Sequence, residues 1–179
     1  MISYCQATRI YFVRHAEKAA VPVGDPGLSS AGKGSTVVLA GLLRDKSIEG
    51  IYVTETCRSR EMAEPFSACI GLPQSACSHD TVHQFLFNLL VADRNALVSG
   101  HSHTVLTMVQ ELGLKSVWNG LGKGDYGGFW VVSTQQREGC GGFRLSLRER
   151  SYGANRTVAA IASAGLPSLP QPLEVNAHS

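Results

Sequence analysis

Thr8-Arg9-Ile10-Tyr11-Phe12-Val13-Arg14-His15-Ala16-Glu17-Lys18 is the stretch on which the reading of this chain turns. Ile10 to Val13 form a short run of β-branched and aromatic residues, the composition of a strand covered on both faces. The run stops abruptly at an Arg-His pair. In open parallel sheets, ligands bind just beyond the carboxyl ends of such strands. Two readings of the pair follow from this stretch alone. Either Arg14 and His15 stand where chemistry is done, or Arg14 caps a strand and His15 is an ordinary loop histidine.

The pattern repeats further along the chain. Gly50 to Thr54 reads as a second strand and runs into Glu55-Thr56-Cys57-Arg58-Ser59-Arg60-Glu61. Ala96 to Ser99 reads as another and runs into Gly100-His101-Ser102-His103-Thr104. Between them the spacing predicts helices. The first extends from Ser29 or Ser30 to about Asp45, with Val37, Val38, Ala40, Leu42 and Leu43 as its apolar side. The second covers Arg58 to about Cys69, with a break or restart at Pro65, a cap at Gly71 and a stop at Pro73. Thr81 to Val91 and the segment beginning at Val105 and closed by Gly113 have helical spacing as well. Gln74 to His79 is a candidate short strand. Ala19 to Ser29, with Pro22, Gly24, Asp25, Pro26 and Gly27, is dense in turn residues and reads as an exposed loop.

Gly120 to Gly128 is a glycine-rich loop. Phe129 to Thr134 and Gly142 to Leu147 then read as closing strands joined through Gly139-Cys140-Gly141. The remainder from Ser151 is rich in Ala and Ser and broken by Pro167, Pro170 and Pro172, which reads as a flexible extension. Strands alternating with helices predict a three-layer α/β fold with a mainly parallel central sheet. The expected organisation is one domain over residues 1–153 and an Ala/Ser/Pro-rich tail over 154–179.

Composition narrows the classes. At 179 residues, 44% hydrophobic and 17% charged, the chain is long enough for one well-buried domain. A net charge of +2 with scattered basic residues argues against nucleic acid and anionic membranes as partners. Five cysteines without a CxxC pair indicate neither a disulfide framework nor a zinc ribbon. No apolar run approaches the roughly 18 residues that span a bilayer, and Met1 to Gln6 lacks the pattern of a signal peptide. A cytoplasmic location is the expectation.

Three strand ends thus supply Arg14 and His15, Arg58, and His101, and crossover connections bring such ends to one edge of a parallel sheet. Two guanidinium groups form a permanently charged clamp for a tetrahedral dianion. A neutral imidazole can attack phosphorus, splitting one displacement into two easier ones. Adjacent arginines disfavour the protonated ring, so His15 is the candidate nucleophile. His101 is the candidate donor to phosphoryl oxygens as charge develops.

Val13-Arg14-His15-Ala16-Glu17-Lys18, Arg58-Ser59-Arg60-Glu61-Met62-Ala63 and Ser99-Gly100-His101-Ser102, in that order and spacing, resemble the histidine phosphatase (phosphoglycerate mutase-like) superfamily. Asp25 to Gly32 resembles the segment that leads into that family's first helix, and the likeness runs from about Thr8 to Gly153. The resemblance implies a phosphoglycerate mutase-like fold, a phosphorylated His15, and a phosphate pocket of Arg14, Arg58 and His101. It implies no metal and no cofactor. Substrates of this family are phosphorylated small molecules or phosphohistidine proteins. For the proton donor the resemblance offers two candidates. Asp80 precedes the third helix, where larger relatives carry a donor, and Glu17 matches a frequent family residue. The chain departs from the family pattern at Ala16, where glycine is common, at Met62, where threonine is common, and at His103, where asparagine is common.

Rival readings were weighed against this one. His79, His83, His101 and His103 could ligate a metal, but their spacing fits no strong zinc signature. Cys57-Arg58 lacks the phosphate-cradling loop of a thiolate phosphatase. A phosphotransferase of the mutase type and a non-catalytic phosphate-binding module both share the four core residues. Pocket walls are expected from Ala19 to Ser29, Ser78 to Gln84 and Gly120 to Gly128.

Overall fold

The computed structural model describes residues 7–77, 82–118, 126–136 and 143–152. Asp80, most of the glycine-rich loop before Tyr126, the Gly139 to Gly141 turn and the segment from residue 153 onward lie outside them, as do Cys5 and Cys140.

In chain order the elements are β1 (Thr8–Arg14), α1 (Ser30–Leu43), β2 (Ile48–Val53), α2 (Cys57–Ile70), β3 (Gln74–Ala76), α3 (Val82–Val91), β4 (Asn95–Gly100), α4 (Ser102–Glu111), β5 (Gly128–Gln136) and β6 (Phe143–Ser151). They build one six-stranded sheet in the order β3-β2-β4-β1-β5-β6. β1, β2, β3 and β4 run parallel, while β5 and β6 are antiparallel additions on one side. The expected mainly parallel sheet flanked by helices is the observed architecture.

Register positions the site. Val13 of β1 lies beside Ser99 of β4, and Ser99 lies beside Val53 of β2. All three chains leave the sheet within a residue of this row. The His15 N–H donates to the Gly100 carbonyl at 2.9 Å, and the Thr54 N–H donates to the Ser99 carbonyl at 3.0 Å, so the ladder extends into the turns that carry the charged residues.

Two cores flank the sheet because alternate residues of each strand face opposite sides. Tyr11, Val13, Ile51 and Leu97 pack with Leu39 and Leu43 of α1 and Met62 and Phe66 of α2. Ile10, Phe12 and Val98 pack with Leu86 and Leu89 of α3 and Val105, Met108 and Val109 of α4. Trp130 is fully buried in this second core, its indole N–H donating to Ser116 Oγ (3.1 Å) and Glu149 Oε1 (3.0 Å).

Four expectations are corrected. The inward side of α1 is Gly32, Thr36, Leu39 and Leu43, whereas Val37, Val38 and Leu42 are 64%, 46% and 45% exposed. Gly32 sets this rotation: a Cβ there would stand 2.3 Å from the Glu17 carbonyl oxygen, so only glycine brings the helix this close to the chain after β1. α2 runs continuously through Pro65 with Met62, Ala63 and Phe66 buried on one side, rather than restarting there. β3 ends at Ala76, short of His79. Ser151 belongs to β6, and Tyr152 is buried against the first core with its N–H donating to the Gly127 carbonyl (2.8 Å), so the folded unit includes both.

Candidate active site

Arg14 is the last residue of β1 and His15 the next, and both are buried, at 6% and 7% exposure. His15 Nδ1 lies 2.7 Å from the Ala16 carbonyl oxygen. A carbonyl only accepts, so in the neutral ring Nδ1 carries the proton and Nε2 carries the lone pair. Arg58, in the first turn of α2, directs its Nε–H to that same Nε2 at 3.3 Å. His101 occupies the N-cap position of α4, and its Nε2 lies 3.4 Å from both an Arg58 terminal nitrogen and Thr56 Oγ1. The two imidazoles meet edge to face with centroids 5.2 Å apart. The Arg14 guanidinium lies over the Tyr126 ring at 4.8 Å, and that ring is 6.2 Å from His15. Arg14, His15, Arg58 and His101 are therefore brought together at one end of the parallel strands.

Arg58 owes its orientation to the loop after β1. Thr56, the N-cap residue of α2, makes no side-chain cap. Asp25 takes over from a distance: its carboxylate accepts from the Cys57 N–H at 2.9 and 3.1 Å and pairs with Arg58 Nη1 at 3.2 Å. One anion thus satisfies the positive start of a helix and holds an arginine. Glu61 secures the same loop, accepting from the Leu28 N–H at 2.6 Å and from the Cys57 thiol at 3.4 Å. Gly27 permits this contact, since a Cβ there would stand 2.6 Å from Glu61 Oε1. The expected exposed loop is in this way tied to α2 at two carboxylates.

The electrostatics favour an uncharged His15. Its pKa is lowered to about 4, first by burial, and then by Arg58, Arg14 and Lys18, against the opposing pull of the Ala16 carbonyl. Burial thus outweighs the arginines to which the sequence reading ascribed the neutral ring. The Cys57 thiol is pushed up, chiefly by its hydrogen bond to Glu61, which is the wrong direction for a thiolate nucleophile.

The remaining candidates are placed differently. Glu17 is exposed and its carboxylate accepts from Ser29 Oγ at 3.0 Å. That hydroxyl also accepts from the Gly32 N–H at 3.0 Å, so Glu17 supports the start of α1. Asp80 lies outside the described residues. His103 stacks on His101 with ring planes 8° apart and centroids at 5.5 Å, and His83 faces Glu111 at 3.4 Å. Among the described residues, no three His, Cys, Asp or Glu side chains gather as a metal-binding group.

Asp25 and Tyr126 lie in segments expected as pocket walls, Ala19 to Ser29 and Gly120 to Gly128, but neither they nor Thr56 were singled out as site residues. Asp25 sits in Asp-Pro-Gly, which reads as turn chemistry, and its partners are 32 and 33 positions away. Tyr126 follows a glycine-rich stretch without periodicity. Neither carries a local signal of its role.

The strand order, the two helical layers and the row of strand ends define a phosphoglycerate mutase-like α/β fold. Solved structures share that fold with the chain. The protein histidine phosphatase SixA complexed with tungstate is 21% identical, with 80% of this chain and 97% of that chain covered and a TM-score of 0.58. The mycobacterial glucosyl-3-phosphoglycerate phosphatase complexed with inorganic phosphate is 15% identical over 79% and 96%, with a TM-score of 0.60. A structure described as mycobacterial hydrolase 2 is 15% identical over 84% and 93%, with a TM-score of 0.64. No family model and no curated protein matches the sequence. Among the described residues, no helix is long and apolar enough to cross a membrane.

Proposed function

We propose that this protein is a metal-independent phosphatase that hydrolyses a phosphomonoester or a protein phosphohistidine through a phosphohistidine intermediate on His15. The observation that carries this reading is the unprotonated Nε2 of a buried, neutral His15 with an arginine N–H at 3.3 Å. A phosphoryl group entering between Arg14 and Arg58 takes over the arginine hydrogen bonds, and its phosphorus comes to face Nε2. The Nε2 lone pair forms the N–P bond as the P–O (or P–N) bond to the leaving group breaks, and the leaving atom takes a proton from a carboxylic acid acting as general acid. Water then attacks phosphorus and gives a proton back to that carboxylate, the N–P bond breaks, and its electron pair returns to Nε2 with release of inorganic phosphate. Arg14, Arg58 and His101 stabilise the charge on the transferring oxygens.

The identity of the similar structures supports this reading, two of them being, by their descriptions, a protein histidine phosphatase and a glucosyl-3-phosphoglycerate phosphatase. In this proposal residues 1–153 form the phosphatase domain and 154–179 an extension. Asp80 and Glu17 are its proton-donor candidates, with Glu17 already engaged by Ser29.

The test is hydrolysis of an aryl phosphate in the presence of a chelator, comparing the intact protein with His15→Ala. Acid-labile, base-stable phosphate on the protein is followed in parallel. Joint loss of turnover and label in the variant is the expected result. Tight phosphate binding without turnover or label across a broad substrate panel refutes the enzyme and leaves a binding module.

A further inference from the structure

A groove of about 520 Å³ lies along the side of the sheet that faces α1, where that helix stops short of covering β5 and β6. Alternation along the strands builds it. Arg9 lies beside Ser133, Tyr11 beside Val131 and Val131 beside Arg148, and Phe129 beside Arg150, so these side chains share one face. The C-terminal end of α1 supplies the other wall through Leu42, Leu43 and Lys46. The floor is built from Leu43, Phe129 and Val131, which are nearly covered at 1%, 8% and 9% exposure, so the apolar side chain that the groove offers a ligand is Leu42, 45% exposed.

The rim is cationic. Arg9, Lys46, Arg148 and Arg150 are all exposed, and among the described residues no carboxylate lines the groove. None of the four forms an ion pair among the described residues. Four positive charges stand here in a chain whose net charge is +2. Glu149, between two of the arginines in sequence, points to the opposite face and bonds Trp130. Like charges collected on a concave apolar wall produce a focused positive potential. An anionic partner is the ligand such a rim favours.

We infer that this groove docks an acidic segment of another protein, lying extended with its carboxylates against the cationic rim and an apolar side chain against Leu42. Charge complementarity selects the sign. From the level of Arg9 to that of Phe129 and Arg150 is four residues of strand, about 13 Å, which holds about four residues of an extended segment. A second copy of this chain would oppose positive rim to positive rim. Nucleic acid would leave Leu42 against its backbone and would find the Tyr11 and Phe129 rings buried, at 3% and 8% exposure, and closed to base stacking. A free phosphate would leave Leu42 uncovered. β6 is the edge strand of the sheet, so the docked segment also has backbone groups within reach. The inference does not depend on the chemistry at His15.

The experiment uses the full chain and a short fluorescein-labelled peptide alternating glutamate with leucine. Binding is read by anisotropy and mapped by amide chemical shifts. The expected result is saturable binding with shift changes at Leu42, Leu43, Val131 and Ser133, and at least about tenfold weaker binding to an Arg148→Glu, Arg150→Glu double variant. Both positions are exposed, so the double variant keeps its melting temperature and its aryl phosphate hydrolysis. Absent binding, binding unchanged in the variant, or shifts centred on Arg58 and His101 overturn the inference. So does equal binding of the matching lysine-leucine peptide. Tighter occupation of the same residues by a single-stranded oligonucleotide replaces the protein partner with nucleic acid, and concentration-dependent dimerisation lost in the variant replaces it with a second copy.

Discussion

The protonation of His15 is the most exposed consequence of the site geometry. Its pKa of about 4 lies about 2.5 below that of a free histidine, so at pH 7 about one molecule in a thousand carries a charged ring, against about one in four for a free imidazole. The measurement is an imidazole nitrogen–proton correlation spectrum recorded from mildly alkaline to strongly acidic pH, which reports the tautomer and the midpoint together. The expected spectrum is a neutral ring protonated on Nδ1, titrating near 4. Arg58→Met should raise the midpoint without restoring it to 6.5, because burial is the larger cause. The linked effect on stability has a definite sign. Between pH 6.5 and about 4 the unfolded chain binds a proton that the folded chain refuses, so stability falls as pH falls through this window. The loss approaches about 3 kcal/mol once native His15 itself begins to protonate, and denaturant melts at successive pH values should show it diminished in His15→Asn. A midpoint at or above 6 in the free protein, or a full return to 6.5 in Arg58→Met, would refute the account.

Asp25 is a positioning residue, and two substitutions divide its tasks. Asp25→Ala loses the helix cap and the half-exposed ion pair, which together cost about 1–2 kcal/mol, whereas Asp25→Asn keeps an acceptor for the Cys57 N–H and costs less than about 1 kcal/mol. Both should lower kcat by about tenfold with little change in KM, since Arg58 loses orientation rather than charge, and equal melting temperatures for the two variants would contradict the division. In α1, Gly32→Ala drives a Cβ into the Glu17 carbonyl and should destabilise by about 1–3 kcal/mol. Gly34→Ala meets nothing within 4 Å and should stabilise by up to about 1 kcal/mol, and urea melts that fail to separate the two would count against the packing described.

One short apolar run that stops at charge is ambiguous by itself, and the strand ends were legible because the pattern occurs three times with helical spacing between. Arg14, His15, Arg58 and His101 could be selected for that reason. The face of α1 was misjudged because its valines and leucines outnumber the small residues that pack inward. A glycine or a threonine can own the buried side when the approach is close enough, and hydropathy does not register closeness. Pro65 read as a break because the lost hydrogen bond is local, while the burial of Met62 and Phe66 that keeps α2 whole is tertiary. Asp25 lay within an expected pocket wall, but its own role was not legible because its two tasks lie on a helix reached only after folding.

The charge balance of the site is the deepest consequence of that long-range contact. Arg14 and Arg58 bring two positive charges to a partly buried edge beside an imidazole that burial keeps neutral. Tyr126 faces Arg14 with the electron-rich side of its ring, and Asp25 neutralises Arg58 in part while leaving its Nε–H directed at His15. On the proposed function the site keeps enough positive charge for a phosphate dianion, while Tyr126 anchors Arg14 and Asp25 anchors Arg58. Full neutralisation would forfeit affinity, and no neutralisation would push the guanidinium groups apart toward solvent. A carboxylate half-exposed on a loop, rather than buried in the pocket, meets both demands, because water screens it from an incoming phosphate more than it screens it from the arginine it touches.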